Sequence, residues 1–280
     1  MVPGVRVLLD LIGAEHDAVP ARDPDPPEHP YVVCSTPRSG SGLLCRGLAG
    51  RGAGAPLEYF NEIHRGLLTD RWGCGRDLDS YVRALYAHRT AAGGVLGVKL
   101  HWDQLERLRA ETLGLPAGEP EYRFPIAFLE QLLPGATYVR IIRLDIDRQA
   151  VSLWFAAAGG TWSVAAGDAA DTGRDSVGYD FVGIDQCRRT IENAELHWDR
   201  LLRHNGIEPL TVVYEQLAAS YGDVLDGVLA VVAPERLDTP RAEPTTRRLS
   251  DDRSERFVER FVAERAERGF GTAAPPAPSP

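Results

Sequence analysis

The sequence predicts an α/β fold in which helices cover both faces of a P-loop-like parallel sheet. Four short runs, apolar along almost their whole length, are the predicted strands: 31–34, 94–100, 137–143 and 210–214. Strands of this composition, separated by helical segments, are typical of parallel sheets buried on both sides. Because ligands of such sheets bind beyond the carboxyl ends of the strands, we expect Arg38, Lys99, Arg143 and Tyr214 along one edge.

The chain of 280 residues is long enough for one sizeable domain. Residues 1–30 are predicted as a mixed N-terminal segment that ends in a proline-rich linker. A single domain is predicted over 31–272. The proline- and alanine-rich residues 273–280 are expected to form a disordered tail.

Apolar residues at helical spacing predict the helices between and after the strands. The first begins near Ser41 and ends at the glycine-rich residues 50–54. The remaining helices are predicted over 79–88, through Leu105 and Leu108, and over 126–133, 148–158, 185–204, 221–232 and 251–268. Residues 159–183 are rich in Gly, Ala and Asp, so they are predicted to form a long surface loop.

The charge and the cysteine content exclude several classes of protein. With 31 basic and 40 acidic side chains the net charge is −9, which disfavours general binding to nucleic acid. The four cysteines lack metal-ligand spacing, so we expect reduced thiols, no metal site and a cytoplasmic protein. The N-terminal apolar run at 7–9 is too short for a signal peptide or a membrane span.

Residues 35–42, Ser-Thr-Pro-Arg-Ser-Gly-Ser-Gly, connect the first strand to the first helix and are here named the anion loop. A strand, a glycine–serine turn and a helix start gather free backbone N–H groups around an anion. Gly40 and Gly42 allow close backbone approach, and Arg38 adds a permanent planar charge. The pattern predicts a phosphate or sulfate site. It is not a Walker A motif, because no lysine precedes the hydroxyl residue.

Lys99 is the only lysine among the 31 basic residues, all others being arginine. A compact ammonium differs from a guanidinium where a point charge must enter a tight anion pocket. We therefore predict a functional role for Lys99.

Four segments of the chain resemble motifs of the sulfotransferases that use 3′-phosphoadenosine 5′-phosphosulfate (PAPS) as sulfuryl donor. The anion loop is similar to their 5′-phosphosulfate loop, and residues 143–153 resemble their 3′-phosphate site. Residues 57–61 (LEYFN) and 97–102 (GVKLHW) are similar to the bacterial Stf0 branch. The resemblance runs from Tyr31 to the last helix and implies the sulfotransferase fold and activity.

The resemblance also implies which residues hold the donor. The 5′-phosphosulfate is assigned to the anion loop, at Thr36, Pro37, Arg38, Ser39, Gly40, Ser41 and Gly42. The 3′-phosphate is assigned to Arg143 and Ser152, joined by Arg248 before the last helix. Two departures bear on these contacts: Gly42 stands where the family usually has a hydroxyl residue, and the interval from Arg143 to Ser152 is longer than in animal cytosolic sulfotransferases. Arg148 is therefore an alternative ligand of the 3′-phosphate.

The acceptor hydroxyl needs a general base, since a neutral alcohol is a poor nucleophile. Glu58 is the first candidate, because the Stf0 resemblance places the base there and its apolar neighbours are expected to raise its pKa. His101 is the alternative, since Lys99-x-His101 resembles the Lys-x-His of animal cytosolic sulfotransferases. Lys99 is expected to stabilise the charge on the leaving oxygen.

Together these features predict a PAPS-dependent sulfotransferase that acts on a hydroxyl of a small acceptor, such as a sugar, a glycoside or a secondary metabolite. No nucleic-acid or membrane partner is expected, and a homodimer is expected by family analogy alone. Two alternatives stay open from the sequence. They are an ATP-dependent small-molecule kinase and a non-catalytic nucleotide-binding protein of the same fold.

Overall fold

The computed structural model describes residues 9–18, 24–113, 122–160, 162, 172–241, 244 and 251–270. The strands among these residues form one parallel sheet, which confirms the predicted fold class: β1 (His29–Ser35), β2 (Val95–His101), β3 (Thr137–Ile142) and β4 (Leu210–Val213). The order across the sheet is β2-β1-β3-β4, and every neighbouring pair is parallel. β1 is buried along almost its whole length, which accounts for its unbroken apolar sequence.

Among the described residues, the sequence predicted eight of the α-helices, and it missed those over 9–12, 62–72, 172–175 and 214–219. In chain order they are α1 (Leu9–Ile12), α2 (Ser41–Gly50), α3 (Glu62–Trp72), α4 (Leu78–Arg89), α5 (Trp102–Leu113), α6 (Arg123–Leu132), α7 (Ile146–Gly159), α8 (Thr172–Asp175), α9 (Phe181–His204), α10 (Tyr214–Ala219), α11 (Tyr221–Val232) and α12 (Asp252–Glu267). Within the part of the chain that the structure describes, no helix has both the length and the apolar content that a membrane span requires.

Helices flank the sheet on its two faces. α2 and α11 contact each other, and α11 also contacts β1 and β3, whereas α5, α6 and α9 form a second group in mutual contact. This grouping agrees with the general preference for right-handed crossovers, which in this strand order puts the connection from β1 to β2 on one face and the later connections on the other. The main core, which includes Val32, Leu44 and Trp198, lies between these layers.

A smaller apolar core joins α7, α9 and α12 through residues such as Phe155, Phe181 and Phe261. α12 begins with a capping box, in which Asp251 and Ser254 each bond the other's backbone N–H. This core fixes α7, the helix that carries Ser152, against two neighbouring helices.

One connection that was predicted as a loop is partly helical. Residues 159–183 are not a continuous loop, because α8 lies within them and α9 already begins at Phe181. The side chain of Asp180 accepts a hydrogen bond from the N–H of Val182 at 3.0 Å and so caps α9. A capping aspartate sets a helix start that apolar spacing alone places too late.

Candidate active site

The carboxyl ends of the strands bring the predicted site residues to one edge of the sheet. The register aligns Ser35 at the end of β1 with His101 at the end of β2, and Ile142 of β3 with Val213 of β4. After β1 the chain continues to β2 at one edge of the sheet, and after β3 it continues to β4 at the opposite edge. The two connections diverge between β1 and β3, and a crevice forms there. The anion loop follows β1 at this crevice, and α7 follows β3.

The backbone of the anion loop requires glycine at position 40. Gly40 adopts a φ of 92° at the cap of α2, and a Cβ atom there would lie 2.3 Å from Cδ2 of Tyr214. Arg38 adopts a left-handed φ of 65°, which is uncommon for a residue with a side chain. The Ser39 hydroxyl is buried and has no hydrogen-bond partner among the described residues. A buried, unpaired donor at a helix start is suited to an anion.

Arginine side chains gather at the anion loop. Arg38 donates from Nε to Oγ of Ser152 at 3.0 Å, and from Nη1 to the carbonyl oxygen of Trp162. Burial and the neighbouring charges of Arg143 and Arg174 lower the pKa of Arg38 to about 10. Because crowded like charges are relieved when an anion binds among them, the loop and α7 together fit a ligand that carries phosphate groups.

Arg143 lies beside the same loop. Its guanidinium carbon lies 4.7 Å from the centre of the Tyr214 ring, and its Nη1 donates to the carbonyl oxygen of Arg38 at 3.3 Å. Ser152 also contacts Arg38, so the structure brings Arg38, Arg143 and Ser152 together. Their roles as phosphate ligands stay a prediction.

The remaining loop residues differ in what they offer a ligand. Pro37 lies in the turn before α2, whereas Ser41 and Gly42 are the first two residues of that helix. The Thr36 hydroxyl is buried and donates to Oε1 of Glu195 at 2.7 Å. Only the backbone of Thr36 is therefore left for a ligand.

Arg148, the alternative ligand of the 3′-phosphate, is engaged elsewhere. Its Nη1 donates to Asp145 at 2.6 Å, and its Nε contacts both carboxylate oxygens of Glu255, at 3.3 and 3.2 Å. These ion pairs make it a weaker candidate than Arg143. Arg248 lies outside the described residues.

A second group of side chains, here named the carboxylate cluster, consists of Glu58, Lys99, His101 and Gln104. Nζ of Lys99 lies 2.7 Å from Oε1 of Glu58, and Nε2 of His101 lies 3.3 Å from the same atom. Nε2 of Gln104 donates to Oε2 at 2.7 Å. Both carboxylate oxygens therefore have charged or polar partners. Within the described residues, no three His, Cys, Asp or Glu side chains form a group suited to a metal ion.

The backbone around Glu58 is held against the edge strand β2. Leu57 pairs with Val98 in a parallel bridge, and its carbonyl oxygen accepts from the N–H of Lys99 at 3.0 Å. Nδ1 of the buried His64 lies 3.1 Å from the carbonyl oxygen of Glu58. These contacts bring together Glu58 and Lys99, which lie far apart in the sequence.

The expected rise in the pKa of Glu58 is wrong. Burial does raise the pKa of this carboxyl, but the charge of Lys99 and the contacts with His101 outweigh burial, so the pKa lies well below its usual value. The apolar neighbours in the sequence, Tyr59 and Phe60, are core residues. The deciding charges come from β2 and are not visible in the LEYFN segment.

His101 has oxygen partners at both ring nitrogens. Its Nδ1 lies 3.0 Å from Oγ and 3.2 Å from the carbonyl oxygen of Ser35, while Nε2 faces Glu58. A histidine that acts as base must direct a nitrogen lone pair at the substrate. Both ring nitrogens of His101 are thus occupied, as are both carboxylate oxygens of Glu58, and the choice of Glu58 over His101 as the base stays a prediction.

Comparison with known proteins identifies the family. Residues 30–264 match the model of the Stf0 sulphotransferase family. The chain belongs to the Stf0 sulfotransferases. It is 27% identical to the trehalose 2-sulfotransferase of Mycobacterium tuberculosis, in a match that covers 87% of this chain and 98% of that protein. The solved sulfotransferase domain from the Synechococcus PCC 7002 olefin synthase is 16% identical, with a TM-score of 0.38 over 91% of this chain and 92% of that domain, a likeness too weak to bear on the fold.

Membership of the Stf0 sulfotransferases confirms the predicted class of activity: the protein is a transferase, and specifically a sulfotransferase. Neither the kinase nor the non-catalytic alternative is favoured by this assignment.

Three residues that lie at or beside the candidate site were not singled out from the sequence: Gln104, Gln149 and Arg174. Gln104 lies in the first turn of α5, directly after the strand that carries Lys99 and His101. Gln149 contacts the anion loop from α7, and Arg174 lies in the segment predicted as a loop. No sequence pattern marks these two, because their partners come from distant parts of the chain.

Proposed function

We propose that this Stf0 sulfotransferase takes PAPS as its donor and transfers the sulfuryl group to a hydroxyl of a small acceptor. The observation that carries the proposal is the pairing of the anion loop, which has arginines beside it, with the carboxylate cluster at the end of the adjacent strand. The contact between Ser35 and His101 joins the two groups. One group suits phosphates and the other suits deprotonation of an alcohol, and sulfuryl transfer requires both.

The donor, which supplies the sulfuryl group on a phosphate, is assigned to the anion loop and α7. Backbone N–H groups at the start of α2 and the unpaired Ser39 hydroxyl suit its 5′-phosphosulfate. Arg143 and Ser152 suit its 3′-phosphate, the group that distinguishes it from ATP.

Glu58 is the proposed base, and Lys99 governs its strength. The low pKa of Glu58 keeps the carboxylate ionised at neutral pH, so a lone pair is available for the hydroxyl proton. The salt bridge that lowers this pKa also makes Glu58 a weak base. When Lys99 turns to the negative charge that develops on the leaving oxygen, the pKa of Glu58 rises. Lys99 thereby couples stabilisation of the leaving group to proton removal.

The class of acceptor is proposed from similarity. The mycobacterial relative is named for a reaction on trehalose, and the match spans nearly all of that protein. A sugar or glycoside hydroxyl is therefore the proposed target, and trehalose is the first acceptor to try.

Calorimetric titration tests the donor. Wild-type protein is titrated with 3′-phosphoadenosine 5′-phosphate and with ATP, and Arg143→Ala is titrated in parallel. We expect preference for the 3′-phosphorylated nucleotide, and a loss of roughly 10- to 100-fold in Arg143→Ala, since hydrogen bonds to charged groups contribute about 1.5–3 kcal/mol. Arg76→Ala is the control, because that side chain is 80% exposed and pairs only with Asp70 among the described residues. No binding, or a preference for ATP, contradicts the proposal.

A further inference from the structure

We infer that Gln149 is a positioning residue that shapes the anion loop for the 5′-phosphate end of the donor. The inference rests on the proposed function, because it concerns the same donor site. Gln149 lies on α7 and is 1% exposed. Its Nε2 donates to the carbonyl oxygen of Pro37 at 2.8 Å and to Oγ1 of Thr36 at 2.9 Å.

These two bonds hold the loop at its most strained point. Arg38 follows Pro37 directly and has the left-handed φ of 65°, a conformation that persists only where the surroundings impose it. Gln149 holds the carbonyl oxygen before Arg38, and Arg143 holds the carbonyl oxygen of Arg38 itself. In a trans peptide the N–H points opposite to the C=O, so the bond from Gln149 also sets the direction of the Arg38 N–H, while the Ser39 N–H donates to the carbonyl oxygen of Thr36 at 3.2 Å.

A glutamine is the side chain that this position requires. The Thr36 hydroxyl donates to Oε1 of Glu195, so it accepts from Gln149, and both partners of Gln149 are acceptors. A side-chain amide supplies two N–H donors from one nitrogen, whereas an ionised carboxylate supplies none. Oε2 of Glu195 accepts in turn from Nη2 of Arg140 at 2.7 Å. The loop is thus braced by a continuous series of hydrogen bonds from α7, α9 and β3.

Gln149 also links the two ends of the nucleotide site. Ser152 lies three residues later on α7, a spacing that puts both side chains on one face of the helix. Gln149 contacts the loop proposed for the 5′-phosphosulfate, and Ser152 belongs to the set proposed for the 3′-phosphate. Loss of the Gln149 amide should therefore weaken binding at the 5′ end and leave the 3′ end unchanged.

The test compares two probes in calorimetric titrations: 3′-phosphoadenosine 5′-phosphate, and adenosine 3′-phosphate, which lacks the 5′-phosphate. The proteins are wild type, Gln149→Met, Gln149→Glu and the control Gln186→Met, whose side chain is exposed on α9. We expect the ratio of the two affinities to fall by about tenfold in both Gln149 variants. The affinity for adenosine 3′-phosphate should stay within about twofold of wild type, and the control should match wild type on both probes.

Each other outcome overturns a stated part of the argument. An unchanged ratio in folded Gln149 variants overturns the positioning role and leaves the donor assignment intact. An equal loss for both probes shows a general structural role and also overturns it. Gln149→Glu keeps the size of the side chain, so it decides the question if Gln149→Met does not fold; if neither folds, Gln149 is structural and the inference fails. A wild type that binds neither probe overturns the proposed function itself.

Discussion

The anion loop and the carboxylate cluster follow neighbouring strands, yet their charges are arranged in opposite ways. Arg38 lies among other arginines and forms no salt bridge to a carboxylate within the described residues. In the cluster, Lys99 and His101 both contact the carboxylate of Glu58. Among the described residues, the positive charge of Arg38 therefore has no carboxylate to neutralise it, whereas the charges of Lys99 and Glu58 neutralise each other within the cluster.

The difference separates binding from chemistry. The positive charge at the anion loop is stabilised directly by a bound phosphate, and affinity is highest when the loop already has the geometry that the phosphate requires. In the carboxylate cluster, the salt bridge between Lys99 and Glu58 must break before either side chain can act on a substrate. We therefore expect changes in the anion loop to alter donor affinity, and changes in the carboxylate cluster to alter turnover.

The largest expected effect is the loss of turnover in Glu58→Gln. Without the carboxylate the acceptor proton has no base, and general bases contribute roughly 10²- to 10⁴-fold in rate. The measurement is sulfate transfer from PAPS to trehalose, or to another acceptor that wild type sulfates. Affinity for 3′-phosphoadenosine 5′-phosphate should be unchanged, and Glu62→Gln, an exposed neighbour, is the control. Full activity in Glu58→Gln together with a loss in His101→Gln would assign the base to His101.

The second effect is a loss of donor affinity in Gly40→Ala. An added Cβ meets Tyr214 at 2.3 Å while the backbone has a φ of 92°, and either feature forces the loop to shift. We expect affinity for 3′-phosphoadenosine 5′-phosphate to fall by about tenfold or more, since strain of this kind costs on the order of 1–3 kcal/mol. Gly50→Ala is the matched control at the other end of α2, where an added Cβ meets no atom within 4 Å. Tight binding by Gly40→Ala would show that the loop adapts.

The third effect concerns the pKa of Glu58 and its influence on stability. The folded-state pKa lies below the usual 4.5, so the ionised carboxyl stabilises the fold above about pH 4.5, and this contribution is lost as the pH falls through the folded pKa. Lys99→Met removes the positive charge that lowers the pKa of Glu58, so the pKa of this carboxyl rises. The difference in unfolding free energy between wild type and Lys99→Met should therefore be largest near neutral pH and shrink in acid.

Urea unfolding at a series of pH values measures this difference in unfolding free energy. The contributions of titrating groups that the substitution does not affect are the same in both proteins and cancel. Lys99→Arg keeps the charge and serves as the control. A difference that does not depend on pH would mean that Lys99 does not set the pKa of Glu58.

The smallest effect is expected in Gly42→Ser. An added Cβ would lie 3.5 Å from Nη2 of Arg46, an ordinary contact, so stability should change by no more than about 0.5 kcal/mol. The hydroxyl that the family usually has here would add one hydrogen bond. Since a hydrogen bond contributes about 0.5–1.5 kcal/mol, donor affinity should rise by a few fold. Gly42→Ala separates the hydroxyl from the added carbon. Weaker donor binding in Gly42→Ser would show that the loop is adapted to glycine.

Local patterns in the sequence were sufficient for the parallel sheet, for most of the longer helices and for the position of the anion loop. Continuous apolar runs predicted the strands, since a strand covered on both faces needs apolar residues throughout. The glycine–serine pattern predicted the anion loop, because backbone conformation and helix capping depend on neighbouring residues. The start of α9 was placed late, since Asp180 lies outside the apolar periodicity on which that prediction depended.

The sequence by itself thus determined the parallel sheet, the anion loop and the identity of the residues that carry charge. The tertiary structure alone decided which side chains meet: Lys99 with Glu58 in a salt bridge, and Gln149 with the anion loop through hydrogen bonds. It also reversed the expected direction of the Glu58 pKa. The physical reason is that electrostatic interactions and hydrogen bonds depend on distances in space, and residues far apart in the chain become neighbours only when the strands align.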